Sequence, residues 1–228
     1  MPEIVGIEYQ IKRSSRRKML EIIVDRDGSV QVQAPVTSTD NEIATLVQAK
    51  RIWIYKALAE WRDLNAAQTE REYVNGQSFL YLGSHYRLQI VEDVPVPLAL
   101  KNGYFLLHRD KLSDARNQFK TFYRQKGQER IPERMRRYQA MLGVEVPGIR
   151  VMELGHRWGS CSADGTLNFH WRAMLLPLKV LDYIIVHELA HRLEPTHSRH
   201  FWDLVERALP DYERAVGWLR QHGAGAGL

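Results

Sequence analysis

One short segment of the chain, His187-Glu188-Leu189-Ala190-His191, holds two imidazoles four residues apart and a carboxylate beside the first. In a helix, four residues turn the chain by about 400°, so both rings point the same way and can bind one divalent ion. Glu188 is rotated by about 100° from His187, which lets it reach a metal-bound water without being a ligand itself. Zinc lowers the pKa of such a water towards about 7, and a carboxylate can take its proton as it attacks a carbonyl. Shuffling this composition produces the motif in roughly two chains per hundred, so the context has to carry the reading. The context is favourable: the segment is strongly helical, Pro177 and Pro195 bound it, and further histidines follow.

A catalytic zinc site keeps three protein ligands and one open position. His197 is the leading third ligand, because the helix must stop at Pro195 and the turn Glu194-Pro195-Thr196 can fold the chain back. Glu206, Glu213 and His200 are its rivals. H-E-x-x-H-x5-H is also the spacing of metzincin proteases, but Glu194 stands in place of their turn glycine and no methionine follows Met174 to supply a Met-turn. Cys161 has the right chemistry for a ligand, yet three histidines make it unnecessary, and a small buried residue is the simpler role. Upstream, Gly155-His156-Arg157-Trp158-Gly159-Ser160-Cys161-Ser162 and Leu167-Asn168-Phe169-His170-Trp171 flank an Asp164-Gly165 turn. They read as a hairpin beside the metal helix, with a strand edge that could bind an extended peptide. Trp158 and Trp171 suit its core. Arg157, Trp158, Gly159, Ser160 and Tyr212 are the candidate substrate contacts, and Arg157, Tyr212 and His200 the candidate second electrophiles.

The elements that must position these groups follow from periodicity. Val5, Ile7, Tyr9 and Ile11 alternate as a strand, as do Leu20, Ile22 and Val24, and then Val30, Val32 and Ala34 before Pro35. Asp27-Gly28 suits a tight turn between the last two, and the basic run 12–18 falls at a hairpin tip between the first two. Thr39 with Glu42 is a capping box opening a helix with apolar Ile43, Leu46, Val47, Trp53, Ile54, Ala57 and Trp61. Strands return from Tyr73 to Leu107, with Asn75-Gly76 and Asn102-Gly103 as hairpin turns. Over 112–142 the spacing is helical, with Phe119, Phe122, Tyr123, Ile131, Met135 and Tyr138 as the buried stripe; Gly127 and Pro132 should break or kink it. Short strands follow at 149–152 and 167–175. The metal helix starts at Pro177 and ends near Leu193. Ser198 caps a further helix with Phe201, Trp202, Val205 and Leu209, and a last helix runs from Pro210-Asp211 to about His222. The expected division is a β-rich region over 1–110 with one helix, a helical metallohydrolase domain over 111–222, and a flexible tail over 223–228.

The chain has 228 residues, 44% hydrophobic and 26% charged, which excludes a disordered, collagen-like or coiled-coil protein. Its net charge of +5 is concentrated: residues 111–141 carry 9 basic and 3 acidic side chains, while 142–228 carry 9 and 10. Arg116, Lys120, Arg124, Arg130, Arg134 and Arg137 therefore form a positive surface that could dock nucleic acid. Arg116, Lys120 and Arg124, or the run 12–18, could instead hold phosphate in a nucleotide phosphoanhydride hydrolase, but the chain has no Gly-rich phosphate loop. A single cysteine excludes a disulfide framework and fits a reducing compartment. The N-terminus does not read as a signal peptide, and no apolar run spans a membrane, so the expected location is cytoplasmic.

At Arg157-Trp158-Gly159-Ser160-Cys161-Ser162, Leu167-Asn168, 182–191, His197-Ser198, Phe201-Trp202, Pro210-Asp211-Tyr212 and Trp218-Leu219, the chain resembles the YgjP-like metal-dependent hydrolase family, grouped with the zincin metallopeptidases. Arg13-Ser14-Ser15-Arg16-Arg17-Lys18 and Ala34-Pro35 look like that family too. The resemblance implies one Zn2+ held by His187, His191 and His197, with Glu188 as general base and a peptide or protein as substrate. It also implies an α+β fold: a zincin-like core with the H-E-x-x-H helix and a small antiparallel sheet, after a β-rich N-terminal region. Glu194-Pro195-Thr196 departs from the basic or amide-bearing residues usual there, so local substrate contacts stay open.

Overall fold

A computed structural model of the chain describes residues 2–4, 6–15, 17–24, 28–66, 72–155, 157–223, 225 and 227–228, with side chains as far as residue 59 in the helix that ends at Ala66. Val5, Arg16, Asp27, His156 and the side chain of Trp61, all given parts in the sequence reading, lie outside the described residues. Two units divide between Thr69 and Glu70.

In the first unit, β1 (Glu3–Ile4) and β2 (Ile7–Glu8) pair antiparallel, and β3 (Gln10–Ser14), β4 (Glu21–Val24) and β5 (Val30–Pro35) form a three-stranded sheet. β5 is the central strand, parallel to β3 and antiparallel to β4. The basic run is therefore not a hairpin tip. β3 and β4 are not neighbours, Lys12 and Arg13 lie inside β3, and Arg13 bonds Asp40 at 2.5 Å. The physical reason is that Val30, Val32 and Ala34 are all buried, so β5 is the strand that takes the middle of the sheet. Helix α1 (Asp40–Ala66) opens on the expected capping box: Thr39 N–H donates to Glu42 Oε2 at 2.7 Å, and Glu42 N–H to Thr39 Oγ1 at 3.2 Å. Ile43, Val47 and Ile54 are buried along it, but Trp53 is 50% exposed. One residue from Ile54 is about 100° of helix, which carries Trp53 off the core face.

In the second unit, β6 (Ser78–Tyr81), β7 (Ser84–Val91), β8 (Leu98–Lys101) and β9 (Tyr104–His108) form a mixed sheet in the order β6-β7-β9-β8. Asn102-Gly103 turns β8 into β9 with φ of 53° and 80°, as a two-residue hairpin requires. Asn75-Gly76 instead leads into β6, and the β6–β7 hairpin is turned by Leu82-Gly83. A Cβ at Gly83 would sit 2.8 Å from Pro177 Cα, and the Leu82 and Gly83 N–H groups donate to the carbonyls of Met174 and Leu175 at 2.8 and 3.1 Å. The hairpin tip is thus bonded to the chain that enters the helix carrying His187 and Glu188.

Helix α2 (Ala115–Leu142) runs through Gly127 and Pro132 without a break. Proline removes one N–H from the ladder, but Ile131 and Met135 beside it are fully buried and hold the helix to the core. Gly127 serves packing: a Cβ there would meet both Val151 methyls at 3.0 Å. Phe119 stacks on Phe79 at 4.2 Å and meets Phe105 edge-on at 5.0 Å, so α2 and the four-stranded sheet share one core. That shared core is why the units divide at 69/70, where the sequence suggested 110/111.

β10 (Ile149–Met152), β11 (Gly159–Cys161) and β12 (Leu167–His170) form a second small sheet with β12 in the centre, parallel to β10 and antiparallel to β11. The expected small antiparallel sheet is therefore mixed, because the chain leaves β10 for the far edge before it enters the middle. β12 also ends earlier than expected. His170 Nδ1 accepts from Arg172 N–H at 3.0 Å, and 171–175 wind as a 3-10 turn. Helices α3 (Leu178–Ala190), α4 (Arg199–Ala208) and α5 (Tyr212–His222) complete a mixed α/β fold with five α-helices among the described residues. None of them is long and apolar enough to cross a membrane.

Glu153, just past β10, ties the sheet to α2. It accepts from Trp171 Nε1 at 2.9 Å and Lys120 Nζ at 3.3 Å and lies 2.9 Å from His170 Nε2. Burial alone would raise its pKa, but the indole N–H, His170 and Lys120 outweigh burial and lower it from 4.5 to about 2. A value lower in the folded than in the unfolded chain means that ionised Glu153 stabilises the fold above the unfolded pKa and ceases to do so as the pH falls through the folded one. The melting-temperature gap between wild type and Glu153→Gln is expected to be constant near neutrality and to shrink between pH 4.5 and about 2. A gap that holds through that window would contradict the assignment.

Candidate metal centre

Helix α3 starts where Pro177 offers its carbonyl to the Val180 and Leu181 N–H groups, at 2.9 and 3.0 Å. From Val180 to Val186 every residue is buried, so the helix is held on most sides before the motif begins. Apolar packing alone does not hold it. Asp182, 5% exposed, takes a bidentate pair from Arg134 of α2, Nε and Nη2 each at 2.6 Å. Such a fork fixes orientation as well as position.

His187, in α3, and His191, its C-cap residue, lie one turn apart with ring centroids 4.8 Å apart. The helix then ends as Leu193 and Glu194 N–H both donate to the Ala190 carbonyl at 2.9 Å. Glu194 shapes the following turn: its Oε1 accepts from Thr196 N–H at 3.1 Å and from Thr196 Oγ1 at 2.8 Å. His197 follows, 5.0 Å from His187 and 4.8 Å from His191 by ring centroid, and its Nε2 is 3.1 Å from His187 Nε2. One ligand atom from each of the three lies within 4.8 Å of the others. The Phe201 ring meets all three histidines, at 5.0, 4.6 and 4.7 Å, as a common apolar floor. Glu206, Glu213 and His200 are outside this cluster among the described residues, as is Cys161.

The electrostatics suit ligands. Burial, with the neighbouring His191 and His197, pushes the His187 pKa down to about 3, and burial lowers that of His191. At neutral pH both are the uncharged imidazoles that a metal requires. Tyr183 Oη is 3.4 Å from His187 Nδ1, and the Glu194 carbonyl 3.2 Å from His191 Nδ1. Partners on the remote ring nitrogen orient ligand histidines. Tyr183 was not singled out in the sequence, although its position four residues before His187 on the same helix face signals it.

Glu188 is 6% exposed, and burial raises its pKa to about 8 against the opposing pull of Arg157. Its carboxylate rests on β11. A Cβ at Gly159 would come within 2.6 Å of Glu188 Oε1 and 2.7 Å of its Cγ. The φ of Gly159 is not left-handed, so the close approach, rather than backbone freedom, calls for glycine. Ser160 is held by Asn168, whose Nδ2 donates to Ser160 Oγ at 3.4 Å and Ser162 Oγ at 2.8 Å. Arg157 is exposed, Trp158 is half-buried with its carbonyl taken by His170 N–H at 2.8 Å, and Tyr212 stacks on Trp202 and Tyr183.

The basic face of α2 is partly used within the fold. Arg134 is committed to Asp182, Lys120 to Glu153 and Arg130 to Glu133, and Arg137 lies over Tyr138; Arg116 and Arg124 are exposed.

Among known proteins, the family model described as YgjP-like, metallopeptidase domain, matches residues 18–222. A solved structure, the metallopeptidase zymogen abylysin of Pyrococcus abyssi, is 30% identical over 38% of this chain and 86% of its own, with a TM-score of 0.35. No curated protein matches the chain.

The contact between Gly159 and Glu188 is testable by a double-mutant cycle on the metal-free protein. Gly159→Ala should cost about 1–3 kcal/mol in urea unfolding through overpacking. In a Glu188→Ala background, where the obstructing carboxylate is gone, most of that cost should vanish. Equal costs in both backgrounds would show that the two residues do not press on one another.

Proposed function

From the premise that the chain belongs to the YgjP-like family as a metallopeptidase domain, we propose that it is a zinc-dependent peptidase, with one ion held by His187, His191 and His197 and with Glu188 as general base. The observation that carries this reading is the convergence of three imidazoles beside a buried carboxylate. The donor set fits the ion. Zinc–nitrogen bonds of about 2.0–2.1 Å in a tetrahedron place ligand nitrogens about 3.3 Å apart, and His187 and His197 offer Nε2 atoms at 3.1 Å. Three nitrogen ligands leave one position open, the pattern of catalytic rather than structural zinc. Nitrogen donors also weigh against a nucleotide phosphoanhydride hydrolase, whose magnesium-type sites are built from oxygen.

When bound, zinc supplies Lewis acidity, acidifying a coordinated water and polarising the scissile carbonyl. Glu188, one residue round the helix from His187, accepts a proton and delivers it to the leaving amine. Burial, even against the pull of Arg157, leaves this carboxyl with a pKa of about 8, and a cation on the neighbouring histidines would lower it. β11 lies at the edge of its sheet with Gly159 against Glu188. An extended peptide adding to that edge through backbone hydrogen bonds brings its carbonyls to the carboxylate, with Arg157, Trp158 and Ser160 beside it. On this reading the second unit is a zincin-like core.

The assignment of Glu188 is tested with a fluorogenic casein or peptide mixture. Glu188→Gln keeps the shape of the side chain, so zinc content should match wild type while hydrolysis falls by about a hundredfold or more. A variant that retains both zinc and activity would remove Glu188 from the mechanism.

A further inference from the structure

The three histidines differ in what orients them. His187 and His191 each have an oxygen near the ring nitrogen that faces away from the cluster, at 3.4 and 3.2 Å. His197 is the exposed member of the three and comes from a loop. Among the described residues its hydrogen-bond-range contact is at Nε2, on the side of the cluster, and none of their oxygens is recorded at its Nδ1.

What His197 has instead is a face. Its ring lies 25° from the plane of the Trp202 indole, centroids 5.8 Å apart. Trp202 in turn stacks on Tyr212 at 5.5 Å and 20°, and Tyr212 on Tyr183 at 6.3 Å and 17°. Tyr183 is the residue whose hydroxyl reaches His187 Nδ1. The column therefore begins on one histidine and ends on another, and it draws rings from the loop, α4, α5 and α3.

We propose that Trp202, backed by Tyr212, is a positioning residue for His197: the indole plane, in place of a hydrogen bond, sets the ring orientation of the third histidine. This rests on the three-histidine reading above. The lone pair of Nε2 lies in the imidazole plane, so rotating the ring about its bond to Cβ swings the donor away from the other two. An aromatic face alongside leaves few ring orientations open. It also favours the coordinated form, because a ligand imidazole donates electron density to the cation and becomes more positive, and the indole face attracts positive charge. A hydrogen bond would have fixed the ring from its edge; the stack fixes it from its face, which suits an exposed loop where water competes for polar partners.

The test is the zinc affinity of the full chain, measured by competition with a chromophoric chelator for wild type, His197→Ala, Trp202→Leu and Trp202→Phe. Loss of an orienting partner of a ligand histidine costs about 10–100-fold in metal affinity. Trp202→Leu, which keeps apolar bulk but loses the plane, is expected to weaken binding by about that factor, and Trp202→Phe, which restores a plane, to recover most of it. Wild-type affinity in Trp202→Leu alongside weakened binding in His197→Ala would overturn the proposal and leave the metal-site reading standing. Wild-type affinity in His197→Ala would overturn both. Equal loss in the Leu and Phe variants would also count against it, since bulk rather than planarity would then be at work. Should Trp202→Leu fail to fold, judged by its melting curve, Tyr212→Leu removes the backing ring, and unchanged affinity there would overturn the proposal.

Discussion

An ionisable side chain inside an apolar core must be neutral, or compensated by an opposite charge, and α3 places Asp182, His187 and Glu188 among residues such as Ile184, Ile185 and Leu189 that are almost wholly buried. Each of the three meets the constraint differently. Asp182 has a guanidinium held in a fork. His187 is driven to its neutral form, with its pKa near 3, and is thereby left as a lone-pair donor. Glu188 is pushed up to about 8 with only Arg157 to oppose burial. A helix built this way gains from a cation at its histidine face: the neutral imidazoles bind it without first losing protons, and the carboxylate beside them regains its charge.

Much of the remaining structure serves to hold that helix still. The hairpin tip at Leu82-Gly83 fits against Pro177 at its start, α2 grips it through Arg134, and β11 lies close enough at Gly159 to locate the Glu188 carboxylate. Beyond its end, the Glu194 side chain shapes the turn that returns His197, and the Phe201 ring floors the cluster from α4. The β6–β7 hairpin, α2, β11 and α4 thus converge on one helix. This explains why the four-stranded sheet belongs with the site rather than with the N-terminal unit.

What could be read from the sequence was local. Two histidines one turn apart, the Thr39–Glu42 cap, the Ser198 cap and the buried stripe of α2 depend on spacing within a few residues, and each is present in the fold. The return of His197 could be anticipated because Pro195 forbids continuing the helix. Strand pairing was less legible, since whether β3 pairs with β4 or with β5 is decided by which strand can be covered on both edges. Close approach was not legible at all. Gly127 and Pro132 look alike as helix breakers, but one is the site where α2 meets Val151 and the other is tolerated in a packed helix. Gly159 read only as a substrate contact, and the room its missing side chain makes for Glu188 was not visible. The stack under His197 was equally hidden, because its four rings are spread over residues 183 to 212.

On the proposed reading, His187, His191 and His197 together hold one zinc ion. Elemental analysis of the purified full chain, wild type beside His197→Ala, both dialysed against the same weak chelator, tests it most directly. One equivalent of zinc per chain is expected in the wild type and a clear shortfall in His197→Ala, with both proteins folded. A wild type that retains no metal, or a His197→Ala protein that retains a full equivalent, would contradict it.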